Sequence, residues 1–199
     1  KIKLNILDAL AGTGIRGLRY AKEVKGVKEV VINDKNPVAV KVIRKNIKLN
    51  GLSKKCKASK YDANVLMHSK VFNVIDLDPF GSPNIFMDSA ARSIWHKGFL
   101  MVTATDTAPL CGTYPDACFK KYGIRSEKTP FYNELGIRIL ISFIILSLSK
   151  HERAFIPQLA IANERYFRVV GKIEHLGKID ALLKQFGFVG KAGPLYLGK

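Results

Sequence analysis

Three clusters of residues in this chain have the types and spacing to do chemistry. The first is Asp8-Ala-Leu-Ala-Gly12-Thr13-Gly14-Ile-Arg16-Gly17, which follows an apolar run and opens an amphipathic one. Glycines at such a junction let the backbone turn tightly and come close to a ligand, while the helix start offers free N–H groups. Asp34 ends the next apolar run, where a carboxylate can accept both hydroxyl hydrogens of a ribose. The second cluster is Asp76-Leu-Asp78-Pro79-Phe80-Gly81-Ser82-Pro83, closing a third run. An amino group on an aromatic ring is a poor nucleophile because its lone pair is delocalised. The Asp78 carboxylate and the Pro79 carbonyl could each accept one N–H, localising that pair, and Asp78 could then take the proton. Proline brings no N–H of its own to compete, and Phe80 can stack on the ring. The third cluster, Val102-Thr-Ala-Thr-Asp106-Thr-Ala-Pro109-Leu-Cys111-Gly112, is a strand running into a turn-rich loop. Cys111 has no His near it in sequence, so it is not read as a nucleophile. The blander alternatives are a glycine-rich turn with Asp34 as a cap ahead of Pro37, and a strand-end turn at Asp78-Pro79.

The spacing of Gly12, Gly14 and Gly17 matches a dinucleotide fingerprint literally, which keeps a nicotinamide-dependent oxidoreductase open. Asp8 argues against it. An acid four residues before Gly12 repels a pyrophosphate but pairs with an ammonium, and S-adenosylmethionine carries an ammonium and a sulfonium and no phosphate. Asp62-Ala63-Asn64 adds a carboxylate suited to the adenine amino group. The set is more similar to a Rossmann-like methyltransferase than to a dehydrogenase.

Elements able to position these residues alternate along the chain, predicting an α/β fold with a mainly parallel sheet. Strands are expected at Ile2 to Leu7, Glu29 to Asn33, Val71 to Leu77 and Gly98 to Thr105. Helices are expected at Ile15 to Val24, Pro37 to about Asn50, Asn84 to Trp95 and Tyr132 to Ser149. Leu52 to Tyr61 reads as a weak edge strand or a loop, and Asp106 to Thr129 as a long loop over a site. Phe155 to Ala162 and Arg165 to Val170 alternate as a closing antiparallel pair, followed by a last helix at Leu176 to Phe186 and a glycine-rich tail. Asp8, Asp34, Asp62, Asp78 and Asp106 each fall at or just past the end of an apolar or β-type run. Strand ends converge on one crevice in such sheets, so these acids are expected to line one pocket.

The exterior is expected to be basic. The chain of 199 residues carries 33 Lys and Arg against 16 Asp and Glu, a formal charge of +17. Nine Lys and Arg and no acid fall between Lys35 and Lys60. Such a surface gains from counterion release on binding a polyanion. An apolar content of 47% excludes a disordered chain, and three cysteines without a CxxC exclude a disulfide scaffold and a zinc ribbon. Ile137 to Leu148, interrupted by Arg138 and Ser142, is too short to span a bilayer. An intracellular, reduced compartment is expected, cytoplasmic or, in a eukaryote, nuclear or organellar. The start on an apolar run without Met predicts a piece of a longer protein.

Taken together, the glycine loop, Asn33-Asp34, Asp62-Ala63-Asn64, Asp76 to Pro83, Thr103 to Gly112, Glu134-Leu-Gly-Ile-Arg138, Tyr166-Phe-Arg168-Val and Gly193-Pro-Leu-Tyr-Leu-Gly198 resemble the tRNA guanine-N2 dimethyltransferase family. The resemblance runs from about residue 4 to 170 and resumes at the last few positions. The Asp76–Pro83 string is specific to the family; the glycine loop is not. The resemblance implies a class I fold and two successive methyl transfers from S-adenosylmethionine to the exocyclic N2 of the guanine at tRNA position 26. It implies that Asp78 is the acid/base carboxylate and that Pro79 and Phe80 hold the flipped-out base. Asp8, Gly12, Thr13, Gly14, Arg16, Asp34, Asp62 and Ala63 would contact the cofactor, and no metal is implied. The family also has an upstream segment with an Arg-Asp pair and a C-terminal domain that grips tRNA, both expected to lie outside this stretch of sequence. Many members carry a cysteine-rich insertion before the Gly-Pro-Leu string, so residues missing between Phe188 and Ala192 are expected. Another amino-group methyltransferase on nucleic acid, a nicotinamide enzyme and a non-catalytic RNA-binding module remain the alternatives.

Overall fold

The structure, a computed structural model, describes residues 3–175. Seven strands form one sheet in the order β3-β2-β1-β4-β5-β7-β6. The first five are β1 (Leu4–Asp8), β2 (Val27–Asn33), β3 (Cys56–Ser59), β4 (Phe72–Leu77) and β5 (Ile94–Ala104), each parallel to its neighbours. β7 (Tyr166–His175) runs antiparallel between β5 and β6 (Arg153–Asn163). The strand order reverses between β1 and β4, and the crevice at their carboxyl ends is where such sheets bind ligands.

Strand alternation sends residues to two apolar layers. Ile6, Val30 and Ile32 pack with Leu18 and Ala21 of α1 (Ile15–Glu23) and Ile43 and Ile47 of α2 (Pro37–Leu49). The residues between them, such as Leu7 and Val31, join Ile75, Leu77, Leu100 and Val102 in the second layer. That layer is covered by α3 (Ala63–Ser69), α4 (Met87–Ser93) and α7 (Tyr132–Ser149). By length and composition alone α7 could cross a membrane, but it lays Ile139, Leu140, Ile144 and Leu148 into this core.

The expected strands, the first two helices, α7 and the closing pair are all present. Three differences have local causes. α3 was not anticipated, because seven residues give little periodicity; its sign in the sequence is Asp62, whose carboxylate accepts from the amides of Asn64 (2.9 Å) and Val65 (3.4 Å) as an N-cap. The helix expected to reach Trp95 ends at Ser93, after a 3₁₀ turn at Asn84–Phe86, and β5 starts at Ile94. The β-branched and aromatic pair Ile94-Trp95 prefers the strand, and Lys97 at φ 66 marks the irregularity where it rejoins the expected segment. The expected loop from Asp106 contains α5 (Thr107–Leu110) and α6 (Pro115–Tyr122), the latter opened by Pro115 and stopped by Gly123 at φ 74. The helix expected at Leu176 to Phe186 and the tail lie outside the described residues.

Gly136 shows how tightly α7 sits. A Cβ there would collide with the ring of Phe167 on β7, which is fully buried. Alanine is the better helix former by about 1 kcal/mol, whereas overpacking costs about 1–3 kcal/mol when the neighbour cannot yield. Gly136→Ala is therefore expected to lower the urea midpoint of unfolding at unchanged slope. A raised midpoint would mean that the Phe167 ring moves aside freely.

Candidate active site

A cleft of about 560 Å³ opens at the carboxyl ends of β1 and β4. The glycine loop forms one wall with Ala11, Gly12, Thr13 and Arg16, and the Asp78-Pro79-Phe80 turn forms the opposite wall. Thr103, Thr105, Tyr166 and Arg168 close the side towards β5 and β7.

The loop reaches this geometry because Gly12 stands at φ 56, a left-handed conformation that favours glycine, with nothing within 4 Å of where a Cβ would point. At Gly17 the reason is close approach: a Cβ would come within 2.6 Å of Ile32, so only glycine lets α1 lie down on β2. The loop amides are already engaged. Gly12 N–H donates to Asp34 Oδ2 (2.9 Å), Gly14 N–H to the Ala11 carbonyl (2.9 Å) and Gly17 N–H to Asp8 Oδ2 (2.9 Å). A pyrophosphate needs those glycine amides free and finds two of them held by carboxylates instead. The loop therefore fits a nucleoside without phosphate, and it disfavours the dinucleotide that the glycine spacing left open.

The opposite wall is fixed from below. Asp76, fully buried, accepts the Tyr20 hydroxyl at 2.6 Å and Arg168 Nη2 at 3.0 Å, and Arg16 Nε lies 3.7 Å away. Arg168 also donates to Thr103 Oγ1 at 2.7 Å. Arg16 reaches forward to pair with Asp78, whose side chain is 28% exposed. Phe80 is fully exposed. Gly81 at φ 91 turns the chain behind it, donating its amide to Thr105 Oγ1 at 2.6 Å and accepting from the Thr105 amide at 3.0 Å. The wall thus presents a carboxylate, the proline after it and an aromatic ring to the open cleft.

Over residues 1–194 the sequence matches the family model of N2,N2-dimethylguanosine tRNA methyltransferases. The chain belongs to this family. It is 43% identical over 94% of its length to the tRNA (guanine(26)-N(2))-dimethyltransferase of Methanosphaera stadtmanae, and 39% identical over 92% to that of Methanopyrus kandleri. The chain spans about half the length of these relatives, 48% and 49%. The structure of Trm1 from Pyrococcus horikoshii with S-adenosyl-L-methionine superposes with a TM-score of 0.87 at 34% identity, covering 98% of this chain and 62% of that one. The fold is the Rossmann-like one of S-adenosylmethionine-dependent methyltransferases, mainly parallel with a closing antiparallel pair, as the sequence predicts.

In this dimethyltransferase-family fold, Gly12, Thr13, Arg16, Asp78, Pro79 and Phe80 come together around the cleft. Gly14 lies just behind as the left-handed N-cap of α1. Asp34 stands at the rim, half-buried, holding Gly12 and the Asn36 amide (2.8 Å). Asp62 and Ala63 open α3 and do not line the cleft, Asp62 being exposed and Ala63 buried.

The expectation that five strand-end acids line one pocket is corrected: only Asp78 does. Asp8 lies under the glycine loop, Asp62 caps α3, and Asp106 accepts from Tyr122 (2.6 Å) and Lys121 (2.9 Å) of α6. Strand-end carboxylates serve equally well as helix caps and loop ties, so position alone overcounts site acids. Three residues without an anticipated role complete the site. Tyr20 and Arg168 hold Asp76, and Asn33 ties the ends of three strands, its side chain bonding the Ala9 carbonyl and both the amide and the carbonyl of Tyr61 at 3.0 Å each. Asn33 and Arg168 stand in the quoted strings, but their partners lie far away in sequence.

Asp8 carries a testable consequence. Burial, reinforced by the nearby Asp76, pushes its carboxyl up from 3.8 to about 7, against the opposing pull of Arg16. The folded chain then holds a proton that the unfolded chain has lost between those two values. Stability contributed by that proton is present at low pH, falls as pH rises from about 4 to 7, and levels off above. Asp8→Asn keeps an acceptor for Gly17 N–H and removes the titration. Urea unfolding at pH 5 and pH 8 is expected to show the variant gaining about 3 kcal/mol on the parent protein across that interval. Parallel pH dependences in the two proteins would show that Asp8 ionises normally.

Proposed function

We propose that the protein to which this chain belongs transfers methyl groups from S-adenosylmethionine to the exocyclic N2 of the guanine at position 26 of tRNA, giving N2-methyl- and then N2,N2-dimethylguanosine. The observation that carries this reading is the Asp78-Pro79-Phe80 turn, open to the cleft and facing a glycine loop whose amides are tied to carboxylates. The curated relatives bear the name of this activity.

S-adenosylmethionine, when bound, supplies a methyl group on a sulfonium. Asp34 at the rim would take the ribose hydroxyls and Asp62 the adenine amino group, with Ala63 beneath. Gly12, Thr13 and Gly14 would leave room along the loop, and Asp8 would complement positive charge from below. A guanine inside a helix hides N2, so the base must leave its stack to enter the cleft, and the exposed Phe80 ring offers it a new stacking surface. Asp78 accepts one N2–H and the Pro79 carbonyl the other, directing the lone pair at the methyl carbon. As the nitrogen–carbon bond forms and the carbon–sulfur bond breaks, the departing N2 proton passes to Asp78. Arg16 pairs with Asp78 in the open cleft, and Asp76 stands behind as a second partner for Arg16 when Asp78 turns to the base. Most of the rate then comes from holding donor and acceptor in line.

Asp78→Ala is expected to lower kcat for methylation by at least about 10²-fold while tRNA affinity changes little. Labelled S-adenosylmethionine should mark a tRNA with guanine at position 26 and leave one with adenine there unmarked. Equal label on both transcripts would discard the position. Loss of tRNA binding with intact chemistry would overturn the role of Asp78. For the cofactor, S-adenosylhomocysteine should raise the melting temperature where NAD does not. Asp34→Ala should weaken S-adenosylhomocysteine by about 10–100-fold, the loss of charge-assisted hydrogen bonds worth about 1.5–3 kcal/mol. Stabilisation by NAD alone would return the glycine loop to the oxidoreductase reading.

A further inference from the structure

The basic run from Lys35 to Lys60 has a specific shape in the fold. β3, the outermost strand on its side of the sheet, is flanked by two adjoining grooves of about 600 and 470 Å³. They meet over Arg44, Lys57 and Ala58, which line both, so together they form one trough along the strand. Lys60 and Lys70 line one end and Lys48 the other, and no Asp or Glu lines either groove. Five cations on one trough without an acid among them is not a mixed solvated face. Lys57 is paired with Glu29 of β2. Arg44, Lys48, Lys60 and Lys70 have no carboxylate partner among the described residues and are exposed. Ser53 and Ser59 contribute hydroxyls. This is the chemistry of a phosphate chain, held by charge and not read by sequence.

Its place fits the same substrate. One end of the trough is formed by Ser59 and Tyr61. Ser59 accepts the amide of Asp34 at 3.2 Å, and Tyr61 is tied to Asn33. The trough therefore starts beside the rim of the cleft. It lies on β3, three strand spacings or about 14 Å from β4, where Asp78 sits.

We propose that this trough binds the phosphate backbone of the RNA substrate on one side of the target nucleotide, a contact surface separate from the methyl-transfer cleft. The proposal rests on the tRNA reading above. It is tested with the full-length protein carrying Arg44→Gln, Lys48→Gln, Lys60→Gln and Lys70→Gln together, against the unaltered protein. Binding to tRNA transcripts with guanine or adenine at position 26 is measured across a salt series, and methylation and S-adenosylhomocysteine affinity are measured in parallel. The four changes are expected to weaken both transcripts alike, by about 10-fold or more at physiological salt. The slope of log K against log salt should flatten by about 3, close to one released counterion per lost contact. KM for tRNA should rise with kcat held, and S-adenosylhomocysteine affinity should stay unchanged, showing that the fold and the cleft are intact. An unchanged slope and KM in a protein that methylates the guanine transcript would overturn the trough and leave the function standing. A flattened slope in a protein that methylates neither transcript would keep the trough and overturn the function. No binding of either transcript by the unaltered protein would overturn both.

Discussion

Everything at the cleft depends on one buried charge. Asp76 is wholly removed from water at the carboxyl end of β4, a position whose desolvation costs several kcal/mol unless cations and donors compensate it. The compensation comes from three places. Tyr20 reaches down from α1, Arg168 reaches across from β7, and Arg16 stands at the first turn of α1. Those groups can meet Asp76 only if α1 lies flat on the sheet, which Gly17 allows, and only if β7 inserts antiparallel beside β5. The carboxylate thereby couples the helix after the glycine loop to the closing strand pair. Asp78 follows two residues later, so its place opposite the glycine loop is set by the same constraint. Removing Arg168, the cation that hydrogen-bonds it, would break the buried pair at a cost of about 3–5 kcal/mol.

The same cluster sets the electrical character of the cleft. Asp8, Asp76 and Asp78 bring three acids within reach of two guanidiniums, Arg16 and Arg168. Asp8 yields first: burial and Asp76 hold its proton on to about pH 7. A ligand with positive charge would restore the balance with Asp8 ionised, and an anion would worsen it. Together with glycine amides already given to Asp34 and Asp8, this selects a cationic nucleoside over a pyrophosphate through electrostatics that glycine spacing does not encode.

Legibility followed range. Residues whose role is set by near neighbours were readable: the glycines by the turn they must make, Pro37 by the helix it opens, and the Asp78-Pro79-Phe80 turn by the chemistry of an amine. The alternation of β1, β2 and β4 was equally plain because each strand is buried on both faces. Residues whose role is set across the sheet were not readable. Tyr20 lies 56 positions from Asp76 and Arg168 lies 92, and nothing local distinguishes either from an ordinary surface aromatic or base. Asn33 has the same difficulty, since its partners sit at the ends of two other strands. Short elements failed for a different reason. α3 and α6 span seven and eight residues, too few for a period to outweigh Asp, Pro and Gly, which read as turns until the caps they form are seen. The acids were overcounted because a carboxylate at a strand end is needed for capping as often as for chemistry.

The separation of sign across the molecule suits the two ligands of opposite charge proposed above. A sulfonium cofactor and an RNA backbone would neutralise each other's sites if those sites overlapped. The carboxylates are gathered at the β1 and β4 ends and largely buried, while the free cations lie on the β3 edge. The distance between them, about 14 Å by strand spacing, keeps the two sites from overlapping. The cleft can take a cationic methyl donor while the β3 edge stays basic. On the proposed function, the base that passes from one site to the other is a guanine, which is uncharged.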